Sequence, residues 1–142
     1  MQAKRRLITA ATVFLLAMLV MYFAAKAQEN EERLAHSNGQ GTLKVGDQKF
    51  KITAVIIKLL PDRKAEVTLV SDITIFLTAT WSNHTASPQE IDLNMTDGDS
   101  RGGLQGAGKA WLSQDGKSVA RLNLQGISRT TKRAVEADFK GK

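Results

Sequence analysis

The chain has 142 residues, no cysteine and a formal net charge of +6, enough for one domain and an appendage. Lys4, Arg5, Arg6 and Lys26 supply four of those charges, and from Gln28 onward 16 basic residues meet 14 acidic ones, a balance of +2. That excess is too small to argue for nucleic acid, and the absence of cysteine excludes both a disulfide framework and a lipid-bearing N-terminus.

Lys4, Arg5 and Arg6 precede an uncharged, mostly apolar run from Leu7 to Ala25, "LITAATVFLLAMLVMYFAA". A basic start followed by an apolar run is an export signal, with the basic flank on the cytoplasmic side and the rest of the chain facing outward. Residues 1–27 are therefore predicted to be an export signal peptide. Ala25-Lys26-Ala27 supplies the small-x-small cleavage pattern and sets a mature start at Gln28. The run is 19 residues long. Signal cores run to about 15 residues and spanning helices need about 20, so a retained membrane anchor is the alternative. The predicted location is the bacterial periplasm or the extracellular space. With the helix uncleaved, residues 7–25 are the membrane contact.

Residues 28–40, "QENEERLAHSNGQ", read as a polar linker with one loose helical turn over Glu31 to Ala35. From residue 41 the apolar period is two and stays there to residue 142, which marks an antiparallel β domain. "GTLKV" and "QKFKI" flank a Gly46-Asp47 hairpin turn. Val55-Ile56-Ile57 is apolar on both faces, so this strand either crosses the centre of the fold or bulges. Pro61-Asp62-Arg63-Lys64 is a turn, and "AEVTLV" returns from it. Ile73, Ile75, Leu77, Ala79 and Trp81 alternate with threonines and Phe76, the clearest half-buried strand. Ile91, Leu93 and Met95 form another. Asp115-Gly116 turns between "KAWLS" and "SVARLNLQGI", and Val135, Ala137 and Phe139 mark the last strand.

The predicted fold class is all-β: an antiparallel β-sandwich or small barrel of about seven to eight strands, preceded by an N-terminal hydrophobic helix.

Three motifs invite a chemical reading. Gly103-x-x-x-x-Gly108-Lys109 fits a phosphate-binding loop, except that Ala110 stands where Ser or Thr ligates magnesium. Such a loop works by delivering its glycines to a helix N-terminus, whereas Lys109 leads into a hairpin. The glycines at 98, 102, 103, 106 and 108 are instead expected to mark a turn and a strand lying close to another backbone. Asp92 to Asp99, "DLNMTDGD", lacks the glycine and glutamate of a calcium loop at the required positions. The two histidines, His36 and His84, are too few for a catalytic zinc site built on histidine, and no nucleophile elbow occurs. No catalytic residue, metal or cofactor is assigned, and nucleotide and nucleic acid are excluded as partners.

What remains is surface character. Phe76, Trp81 and Trp111 are the candidate apolar ligand-binding residues. Arg129, Lys132 and Arg133, in the basic turn "SRTTKR", are the candidate anion-binding residues. Residues 28–100 carry 7 basic and 11 acidic side chains, and residues 101–142 carry 9 and 3. That asymmetry is satisfied either by an anionic partner or by acidic and basic strands lying side by side. The expected function is a non-enzymatic, exported binding or structural module whose partner is an envelope or extracellular protein, a glycan or an apolar ligand. The alternatives are a small carrier that encloses an apolar ligand and, behind it, an envelope hydrolase centred on His84, Asp97 and Asp99.

Overall fold

A computed structural model describes residues 12–22, 32–84, 87–95 and 103–142. Two compact units divide the chain at residue 31. The first contains a helix over residues 12–22 with exposed side chains. Among the described residues, no helix is long and apolar enough to cross a membrane. The small-residue pattern at residues 25–27 and the acidic positions Asp97 and Asp99 lie outside the described residues.

The second unit is a closed barrel of eight antiparallel strands in simple up-and-down order. The strands are β1 (Arg33–Val45), β2 (Gln48–Leu59), β3 (Lys64–Val70), β4 (Ile75–His84), β5 (Ser87–Asn94), β6 (Leu104–Leu112), β7 (Val119–Ser128) and β8 (Ala134–Gly141). The sandwich alternative is thereby set aside. Closure comes from β1 pairing with β8, in register from Gly39 opposite Gly141 to Val45 opposite Val135. A closed ring leaves no strand edge to pair with another chain.

β1 starts earlier than its sequence suggests. Residues 33–40, read as linker, pair with β2 from Arg33 opposite Leu59 onward. The segment is polar because only Ala35 and Ser37 point to the interior, and two small residues do not raise a hydrophobic signal. The long hairpin partner supplies the apolar side: Val55, Ile57 and Leu59 of β2 are fully buried. The register of β1 against β2 shifts between Asn38 and Gly41, and the inward phase of β2 changes from Ile52 to Val55. The expected bulge is there.

Alternation does the rest. Inward positions form one cluster that includes Leu43, Ile52, Leu69, Leu77, Leu93, Leu122 and Phe139. Most outward positions are polar: Lys44, Lys51, Glu66, Thr78, Thr80, Asn94, Gln105, Gln125 and Asp138 are all exposed, with Leu34, Phe76 and Ile127 as apolar exceptions. This is the reverse of a bilayer-spanning barrel, whose outward band is apolar. Burying the aliphatic inner face stabilises the ring by about 25 cal/mol per Å² removed from water, without any covalent staple.

The barrel has two mouths. The entry mouth, where β1 begins, also carries the Pro61–Arg63 turn, the loop over residues 113–118 and the end of β8. The far mouth carries the Gly46-Asp47 turn, the loop over residues 71–74 and the β7–β8 turn over residues 129–133.

Candidate functional site at the far mouth

The entry mouth is plugged. Trp81 is 5% exposed and packs inside the ring, and its Nε1 donates to the Leu60 carbonyl at 3.4 Å. The guanidinium groups of Arg33 and Arg63 lie 5.4 Å and 5.0 Å from its ring centroid, a cation–π arrangement that closes this end. Beside it Ser37, a polar residue buried in the core, accepts a hydrogen bond from the Val119 amide at 2.8 Å. The His36 amide donates to the Lys117 carbonyl at 3.0 Å, so β1 is tied to the start of β7.

Among the described residues, the far mouth differs. There the inner wall forms an apolar recess of about 150 Å³, between Leu43, Val45, Leu69, Ile75, Leu77, Leu104, Leu124, Val135 and Ala137, with Ser128 and Thr131 at its side. The lining of the recess is aliphatic, and Phe50 of β2, a partly buried aromatic packed against the core near this mouth, is not part of it. An eight-stranded ring is just wide enough to be filled by side chains or to hold one small ligand. Here Trp81 and Phe139 fill the entry half and middle, and the far end keeps space.

Ser128 and Thr131 belong to the β7–β8 turn that holds the three predicted anion-binding residues. The turn is well built. The Lys132 amide donates to the Ser128 carbonyl at 2.8 Å, and the Ser128 amide to the Arg133 carbonyl at 2.9 Å. The Arg129 amide donates to the Gly103 carbonyl at 2.8 Å, which fastens the turn to the start of β6. Lys132 takes a left-handed conformation, φ 58°. The Arg133 stem lies over Gly46, where an added Cβ would sit 3.2 Å from its Cδ. Arg129, Lys132 and Arg133 are exposed and belong to the turn segment whose Ser128 and Thr131 line the recess. Ile73, Phe76 and Ile127, on the adjoining loop and outer wall towards this end, are 45%, 69% and 54% exposed.

The three predicted apolar ligand-binding residues are not brought together. Phe76 and Trp81 share β4 but are an odd number of positions apart, so the pleat sends them to opposite faces, Phe76 outward and Trp81 inward. Trp111 is on the outer wall of β6 near the entry mouth, with Lys109 and Arg121 5.9 Å and 5.4 Å from its ring. Sequence reading missed the recess because its lining comes from six different strands, each contributing only its last one or two inward residues.

The glycine stretch over residues 103–108 is a strand. Gly106 and Gly108 lie in β6 against β7, opposite Gly126 and Leu124. A Cβ at Gly106 would lie 2.5 Å from the Gly126 Cα, and one at Gly108 2.5 Å from the Asn123 carbonyl oxygen. Lys109 is engaged elsewhere: its Nζ is 2.7 Å from Glu90 and 3.7 Å from Asp92. The hydrogen bond to Glu90 raises the Lys109 pKa above its ordinary value. The acidic β5 and basic β6 are therefore neighbours, as are Lys44 of β1 and Glu136 of β8 at 4.0 Å. This lateral pairing absorbs part of the charge asymmetry.

Two further hollows lie on the outer wall. One of about 300 Å³ is lined by Leu60, Lys64, Glu66, Thr78, Thr80 and Asn94, and one of about 310 Å³ by Thr42, Lys44, Lys49, Glu136 and Asp138. Both are open to the side and charged. Among the described residues, no group of three or more His, Asp or Glu side chains is placed to hold a metal. No protein-family model, curated protein or solved structure matches the chain.

Proposed function

We propose that this chain is an exported, non-enzymatic barrel that acts as a binding module of the cell envelope or the extracellular space, gripping the apolar end of its ligand in the far-mouth recess. The observation that carries the reading is the recess itself, an aliphatic hollow of about 150 Å³ on the inner wall of the ring. Its lining holds no titratable side chain, so it offers a ligand contact and not proton transfer. A small apolar pocket with a few polar groups at its edge is the usual form of a ligand site. The filled middle favours a module that holds one end of a ligand over a carrier that encloses the whole of it.

Export rests on the basic start and the apolar run over residues 7–25. Native mass spectrometry of the full chain, extracted gently from its own envelope, tests the reading. The expected spectrum shows an added mass that is lost on denaturation and is absent from a Val135→Phe variant, which fills the recess. A bare polypeptide in both cases would contradict it.

A further inference from the structure

We infer that the ligand of the far mouth is a small anionic amphiphile: a carboxylate or phosphate head on an apolar group of about six carbons. This rests on the far-mouth reading above and adds the chemical class of the ligand. Two observations set it. The first is size. A recess of about 150 Å³ with aliphatic walls is comparable in volume to one that takes a benzene-sized group. A chain of about six carbons fills it. The second is charge. Arg129, Lys132 and Arg133 sit in one exposed five-residue turn, and Ser128 and Thr131 of the same turn segment line the recess. A group seated in the recess therefore has its outer end beside two hydroxyls of a turn that carries three basic residues.

The turn is a fixed platform. Backbone hydrogen bonds from Ser128, Arg129 and Lys132 close it and attach it to Gly103, the Thr131 amide donates to the Ser128 Oγ at 3.3 Å, and the Arg133 stem rests on the β1–β2 turn. Holding cations in place before the ligand arrives lowers the ordering cost of binding. Guanidinium groups suit this task because their fork of donors matches a carboxylate or phosphate. A neutral apolar ligand would gain nothing from this turn, and a bare anion would gain nothing from the recess. An amphiphile uses both.

The occupant is a single soluble molecule and not a membrane surface, because the apolar volume is a recess of the inner wall sized for one chain end. The test is a methyl-NMR titration of the full chain at low salt, following the methyls of Leu43, Leu69, Leu77 and Leu124. The probes are 1-hexanol, hexanoate, hexyl phosphate and inorganic phosphate, with anionic phospholipid vesicles as a separate arm. The expected result is recess shifts with all three hexyl compounds, and about tenfold tighter binding of hexanoate and hexyl phosphate than of hexanol. That advantage falls as salt is raised, and it is lost in the Arg129→Gln/Lys132→Gln/Arg133→Gln variant, which still binds hexanol. The variant's own methyl spectrum reports that it is folded.

Equal affinity for hexanol and hexanoate would overturn the anion assignment while leaving the far-mouth reading in place. Recess shifts with none of the probes would overturn both. Inorganic phosphate binding as tightly as hexyl phosphate would remove the recess from the site. Capture by anionic vesicles without response to hexyl phosphate would make the far mouth a membrane-docking surface and overturn the proposal.

Discussion

Gly106 and Gly108 decide what the glycine-rich stretch is for. Each lies where β7 comes too close for a side chain, so Gly106→Ala is expected to destabilise the barrel by about 1–3 kcal/mol, the range for overpacking a tight contact. Lys109→Ala, which a phosphate-binding loop would not tolerate, is expected to cost less than about 1 kcal/mol, because its ion pairs are partly exposed. Urea denaturation of the two variants separates these outcomes; the reverse order would restore a functional reading of the lysine. Ser37 makes the complementary case. Its removal in Ser37→Ala leaves the buried Val119 amide without its partner and is expected to cost about 1–3 kcal/mol. Denaturation midpoints within error of the parent would show that this bond does not help hold β1 to β7. Neither role was legible locally. The glycine pattern announced a close backbone approach, but which strand approached is a matter of pairing. Ser37 looked like a linker residue because nothing near it in sequence is apolar.

At the scale of elements, periodicity carried most of the information. The Gly46-Asp47, Pro61–Lys64 and Asp115-Gly116 turns follow from their turn residues, and the inward faces of β3, β4, β5 and β8 from alternation of period two, since each strand has one wet and one dry face. The beginning of β1 did not follow, because a strand that contributes only Ala35 and Ser37 to the core looks like a loop until its partner is known. The loop between β6 and β7 is an element whose chemistry can be tested by pH. Asp115 accepts hydrogen bonds from the Ser113 hydroxyl and, at 3.0 Å, from the Lys117 amide, and these hold its carboxyl below the usual carboxylate range. A carboxylate with a depressed folded-state pKa contributes stability that is present above its unfolded value. It is lost as pH falls through the folded one. The loop is therefore expected to loosen in acid, below the ordinary carboxylate range, and to be indifferent to pH near neutrality. Amide exchange of Lys117 and Ser118 should accelerate on acidification relative to Asp115→Asn, whose loop exchange should lack that step. Parallel pH profiles in the two proteins would show that the carboxylate does not anchor the loop.

For the whole molecule, the sequence left open whether the strands made two sheets or one ring, because both bury the same alternating faces. Pairing of β1 with β8 settles closure. Closure in turn creates the site, for a ring of eight has a single axis to fill, and this chain fills it with Trp81 at one end and leaves aliphatic walls at the other. The anion-binding candidates Arg129, Lys132 and Arg133 were legible as a cluster because they are adjacent in sequence. Phe76, Trp81 and Trp111 were grouped by chemistry alone, and the odd spacing of Phe76 and Trp81 on one strand already placed them on opposite faces. The central claim is that the apolar binding volume lies at the far mouth and not along the axis. Xenon, which enters dry apolar cavities, reports on that directly. A crystal of the barrel under xenon pressure is expected to show density between Leu43, Leu69, Leu77 and Leu124, and none beside Trp81 or Phe139. Xenon along the axis, or none at the far mouth, would contradict the account.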